Sequence, residues 1–131
     1  MKKFSLLALI ALLLMSIMPS FAQDAVTITW FVGLGTGANP EQQDAQVAVV
    51  DAFNEMNDAI ELEIIFVDND SAPTTLATLL ATGEGPDLVG PVGFAGTAAF
   101  ADNLLNIEPY VDAAGYDLGQ FDASIVDFNR L

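Results

Sequence analysis

One apolar stripe constrains this chain more than any other feature. Ala45, Ala48, Val49, Ala52, Phe53 and Met56 recur at i, i+3, i+4, i+7, i+8 and i+11, while Glu41, Asp44, Asp51, Glu55 and Asp58 lie off that line. The pattern predicts a helix with one buried face. Asn39 is placed as its N-cap, Pro40 suits its first turn, and Gln42 sits where a capping-box partner belongs. Strand-like sequence lies on both sides. Upstream, Val26, Ile28, Trp30 and Val32 alternate with Thr27, Thr29 and Phe31; downstream, a run from about Ile60 to Val67 alternates and then becomes wholly apolar at Ile64-Ile65-Phe66-Val67. The apolar end predicts a strand entering a sheet covered on both faces. A helix between two such strands has few options: it lies with its stripe on the sheet, and the strands it joins run parallel.

The pattern then repeats. Asp68-Asn69-Asp70-Ser71 ends the second strand, and a short helix from Pro73 carries Leu76, Leu79 and Leu80 inward, with Gly83 as its C-terminal cap. Pro86 and Asp87 introduce a brief third strand, Leu88-Val89-Gly90, followed by a small-residue helix around Gly96 to Ala101. The reading is an α/β fold of order β-α-β-α-β-α, with a mostly parallel sheet and right-handed crossovers. Ligands of such open sheets sit beyond the carboxyl ends of the strands. Three loops lie there, Gly33 to Asn39, Asp68 to Ala72 and Gly90 to Phe94. Their candidate ligand-binding residues are Gly35, Thr36, Gly37, Asp68, Asn69, Asp70, Pro91 and Phe94.

The N-terminus sets the compartment. Lys2 and Lys3 precede an apolar stretch, Phe4 to Met15, and Ser20-Phe21-Ala22 offers small residues at the −3 and −1 positions of a cleavage site. This predicts a secretory signal peptide over 1–22 and an exported product beginning at Gln23. The apolar run is short of the ~20 residues of a membrane span, so no stable insertion is expected after cleavage. Two of the three basic residues leave with the leader, and Arg130 then faces all 18 Asp and Glu. Such a surface repels nucleic acid and anionic lipid. The chain has no cysteine and no histidine. Disulfides, thiolate metal sites, a lipidated N-terminal cysteine and histidine-based nucleophile activation are therefore excluded.

The stretch Gly33 to Ala38 fits the dinucleotide fingerprint G-x-G-x-x-[G/A]. A cofactor turn, however, needs its helix to begin within the glycines, so that free N–H groups face the pyrophosphate. Asn39-Pro40 restarts the helix after them. Asp68 also lies about 30 residues beyond Gly37, where the fingerprint places its acidic residue roughly 20 on. No cofactor is expected. The glycines serve tight turning or close backbone approach to a small ligand.

Other candidates carry competing structural readings. Asp68-Asn69-Asp70 begins like a calcium loop, but Ala72 takes the next ligand position and Pro73 replaces the required glycine, so no metal is expected. Trp30 invites sugar stacking, yet an interior strand position favours packing, while Phe94 after the third strand is better placed for stacking. Glu61/Glu63 and Glu84/Asp87 lack the convergence of a glycosidase pair. Asp87 is read as accepting backbone hydrogen bonds at a strand entrance in preference to touching ligand. Pro109 is read as the first position of a short helix with Tyr110 and Val111 packed beneath it.

The ordered set of segments resembles the extracellular solute-binding proteins of ABC transporters, in the sugar-binding group that is maltose-binding-protein-like. The segments are AFNEMNDAIELEIIFV and GEGPDLVGPVGFAGTAAFADNLLNIEPYV. The helix ends in a phenylalanine-asparagine pair, Phe53-Asn54. Gly83, Pro86, Asp87 and Leu88 supply the family's G-x-x-P-D-[VIL] motif, and Leu105, Ile107, Pro109, Tyr110 and Val111 supply most of its P-Y-[VI] segment. Asn103 stands where the family has glycine and Ile107 where it has leucine. The resemblance implies a receptor that binds and releases a small solute, most often a sugar or oligosaccharide, and passes it to ABC permease subunits without catalysis. It implies two α/β lobes, of which 23–131 would form the first segment of the N-terminal one. An exported enzyme on a doubly wound sheet and a ligand-binding periplasmic sensor are the alternatives.

Overall fold

The computed structural model describes residues 25–130. The leader and its cleavage site lie outside the described residues. The elements alternate as β1 (Val26–Val32), α1 (Pro40–Met56), β2 (Ile60–Phe66), α2 (Ala72–Thr82), β3 (Leu88–Val89) and α3 (Phe94–Phe100), followed by α4 (Glu108–Ala114) and α5 (Ala123–Phe128). All three strands run parallel in the order β2-β1-β3. Val26 to Val32 pair in step with Ile60 to Phe66, whereas β3 contributes only Leu88 and Val89, opposite Trp30 and Phe31. The chain is therefore an α/β fold with a small open parallel sheet. Among the described residues no helix is long and apolar enough to cross a membrane.

The core sits between the sheet and α2. Phe31, Ala72 and Leu76 are buried together, with Leu34, Val67, Leu79, Leu80, Val89 and Phe100 packed around them. Full burial of a Phe or Leu side chain, as at Phe31 and Leu76, stabilises by about 1.5–3 kcal/mol, so this cluster holds α2 to β1. The expected inward set of α2 is borne out, as is Gly83, which closes the helix at φ 77° in the left-handed region. Val32 points to the opposite sheet face, on which α1 lies against β2 and buries Val50.

Helix α1 presents a different face from the expected one. Ala45, Ala48, Val49, Ala52 and Met56 are exposed, and the sheet side is formed by Gln43, Gln46, Val50, Phe53 and Asn54. Phe53 alone is common to both sets. The helix is turned by about one residue, roughly 100°, from the apolar prediction. The cause is hydrogen bonding. Gln43 Nε2 donates to Ala38 O at 2.8 Å, Gln46 Nε2 donates to Gly37 O at 2.9 Å, and Asn54 bonds both backbone groups of Leu62. Turning the Ala45 stripe inward would strip those backbone groups of their partners.

Three further expectations are corrected. Strand β2 is not covered on both faces among the described residues, since Ile65 is exposed and Ile64, Phe66 and Val67 are half-buried. Gln42 does not complete a capping box with Asn39, whose side chain makes no cap bond; its Oε1 accepts the Gly37 N–H instead, at 2.9 Å. Pro109 is the second residue of α4, which starts at Glu108; Tyr110 beside it is exposed and only Val111 turns partly inward. Trp30 follows its packing reading: it is half-buried and its indole Nε1 donates to Gly90 O at 2.8 Å, bridging β1 to the end of β3.

Candidate functional site

Three loops leave the carboxyl ends of the strands, and short contacts lock them together. A Cβ on Gly33 would come within 2.5 Å of Val67 O and 2.7 Å of Ala72 Cβ. Only glycine lets the end of β1 close against the end of β2 and the start of α2. Gly93 N–H donates to Leu34 O at 3.3 Å, and a Cβ on Gly35 would lie 3.0 Å from Pro91 O. The first and third loops therefore run in contact. In the second loop, Asp68 O accepts from Ser71 N–H, Ala72 N–H and Ser71 Oγ within 3.1 Å, which turns the chain into α2.

Gly37 takes φ +105°, and its two peptide groups are held by Gln42 and Gln46 of α1. Its N–H is thus engaged by a side chain rather than presented to an anion. Helix α1 also starts at Pro40, beyond the glycines, so the geometry of a pyrophosphate turn is not formed here.

Two adjoining clefts open at this end of the sheet. The first, of about 490 Å³, has Gly33, Leu34 and Gly35 on one wall, Ala95, Gly96, Ala99 and Phe100 of α3 on another, and Asn69 with Pro73 closing it. Its lining is small and apolar, with Asn69 the one polar side chain. The second, of about 400 Å³, is polar and runs between Ala38-Asn39 and Asp68 to Ser71. Asn69 lines both.

Of the expected site residues, Gly35 and Asn69 line the first cleft, and Asp68, Asn69 and Asp70 line the second. Thr36 is exposed and lines neither. Gly37 is buried in the loop that supports the site. Pro91 reaches the site only through its carbonyl against Gly35. Phe94 is not in the loop but opens α3; it is 77% exposed, and its ring meets Phe128 of α5 edge-on with centroids 4.8 Å apart. It turns toward α5 and lines neither cleft. The α3 wall was missed as a wall, although its run of small residues is the sequence signal that a helix can approach loops closely.

The arrangement seats a small molecule by an apolar face and offers hydrogen bonds at one rim. Two carboxyls are held below the usual carboxylate range, Asp87 by hydrogen bonds from Thr29 and Asp122 by those from Ser124, and neither lines a cleft. Among the described residues no group of three or more His, Cys, Asp or Glu could hold a metal ion.

Compared with models of protein families, with curated proteins and with solved structures, the chain matches none.

Proposed function

We propose that this chain belongs to an exported solute-binding receptor of an ABC importer and that its ligand is a carbohydrate. In this reading 1–22 is the export leader and 23–131 forms the first segment of the N-terminal lobe. The observation that supports it is the paired cleft beyond the carboxyl ends of the parallel strands, where such sheets bind ligands. A sugar ring has an apolar face and a rim of hydroxyls, and the Gly/Ala/Phe100 cleft beside Asn69 and Asp70 offers surfaces of both kinds.

The test is a titration of a panel of mono- and oligosaccharides followed by amide resonances. Saturable shifts at Gly35, Asn69 and Gly96 are expected. A panel that leaves these three amides unmoved, or that shifts only residues remote from both clefts, refutes the reading.

A further inference from the structure

Among the described residues β2 is an edge strand, with β1 on one side only. Val26 N–H donates to Ala59 O at 3.0 Å and Val67 N–H to Val32 O at 2.9 Å. In a parallel ladder this parity turns the backbone groups of odd-numbered β2 residues toward β1 and those of Ile60, Leu62, Ile64 and Phe66 outward. An open row of this kind is a template for another strand.

At the middle of that row the template is occupied. Asn54, near the end of α1, accepts the Leu62 N–H on Oδ1 at 2.8 Å and donates Nδ2 to Leu62 O at 3.0 Å. A side-chain amide carries one acceptor and two donors on a planar group, like a peptide. Asn54 thus satisfies Leu62 as one residue of a neighbouring strand would. The segment it guards, Ile60 to Phe66, is rich in strand-forming residues and leaves Ile60 and Ile65 exposed.

We infer that Asn54 is a plug that keeps the β2 edge from pairing with the β2 edge of a second copy of this chain. The pairing it blocks is antiparallel and two-fold about Ile64, so that the outward groups of Ile64 meet each other and those of Leu62 meet Phe66. That register sets Glu63 of one copy opposite Ile65 of the other and Glu61 opposite Val67. A parallel in-register pair would instead stack Glu61 on Glu61 and Glu63 on Glu63, which like-charge repulsion disfavours. A two-fold contact also uses one patch twice and closes on itself.

The experiment compares the parent chain, Asn54→Ala, and Asn54→Ala combined with Ile64→Pro by sedimentation equilibrium over a concentration series. Amide exchange at Ile64 and Phe66 is followed in parallel. Asn54→Ala is expected to dimerise at a concentration about tenfold or more below the parent, with protection of both amides rising as dimer forms. Proline at 64 removes an outward N–H without disturbing the β1 side, and is expected to return the double variant to parental behaviour. Equal association of parent and Asn54→Ala overturns the inference. So does association of Asn54→Ala that proline at 64 leaves unchanged, which is the behaviour of a chain merely loosened and sticking through other apolar surfaces.

Discussion

The carboxylate of Asp87 completes the hydrogen-bond ladder of β1 at Thr29, one residue before β3 begins. Asp87 Oδ2 accepts from Thr29 N–H and from Thr29 Oγ1, each at 2.8 Å, and Asp87 N–H donates back to Thr29 Oγ1 at 3.1 Å. A two-residue strand offers little backbone to hold it. The reciprocal bonds fix where β3 enters, and therefore where Gly90 and the third loop leave toward the cleft. The structural reading of Pro86-Asp87 from sequence agrees with this geometry.

Asp87 makes stability depend on acid. Thr29 stabilises the ionised carboxylate, so the folded-state pKa lies below the ordinary 3.8. The contribution is full above the unfolded value and is lost as pH falls through the lowered folded value. The urea midpoint should drop as pH falls below about 4 and on through the lowered folded value, and Thr29→Val should flatten that drop by removing one of the two bonds to the carboxylate. Asp87→Asn, which has no carboxylate to titrate, should flatten it further. An unchanged pH profile in both variants would refute the role assigned to the pair.

Two adjacent residues test which face of α1 meets the sheet. Val50 is 6% exposed and Val49 59%. Val50→Ala should cost roughly 1–3 kcal/mol from lost burial and the cavity left behind. Val49→Ala should stay within about 0.5 kcal/mol of the parent. Chemical denaturation of the two variants side by side gives the answer, and a larger cost at Val49 would restore the apolar-stripe orientation.

This contrast shows why part of the fold was legible and part was not. The existence and limits of α1, the parallel β-α-β order and the inward leucines of α2 follow from periodicity, because burial of apolar groups there is local to each element. The orientation of α1 follows from Gln43, Gln46 and Asn54, whose partners are backbone groups of Ala38, Gly37 and Leu62. A hydropathy pattern counts those side chains as outward, since it contains no information on which distant peptide group awaits a donor. The site divides in the same way. The ends of parallel strands predict the loops, and so Gly35, Asp68, Asn69 and Asp70, but the α3 wall depends on how closely Gly96 lets that helix approach Val92 and Leu34. Phe94 opens α3 and its ring meets Phe128, a contact with a segment far along the chain that no local pattern announces.

Gly33→Ala should be the most damaging single methyl added near the site. Its Cβ meets a backbone carbonyl and the buried Ala72, neither of which is the far end of a flexible side chain. Overpacking of this kind typically costs about 1–3 kcal/mol. Thermal melts should place Gly33→Ala clearly below the parent. A melt matching the parent would mean that the ends of β1 and β2 separate easily.

Filling the first cleft separates binding from folding. Ala99 lines the cleft and is itself exposed, so Ala99→Leu adds bulk to the cavity without entering the Phe31-Leu76 core. Stability should change by less than about 0.5 kcal/mol; under the proposed saccharide reading, affinity should fall by about tenfold or more because the added bulk takes up the cleft. Asn69→Ala should weaken the same ligand about three- to tenfold, the effect of one hydrogen bond worth roughly 0.5–1.5 kcal/mol. Because Asn69 lines both clefts, it should do so for ligands seated in either. Calorimetric titration of the parent and the two variants with one binding saccharide measures all three affinities. If Ala99→Leu binds as tightly as the parent while Asn69→Ala does not, the ligand occupies the polar cleft alone, and the apolar one is a packing gap between α3 and the glycine loop.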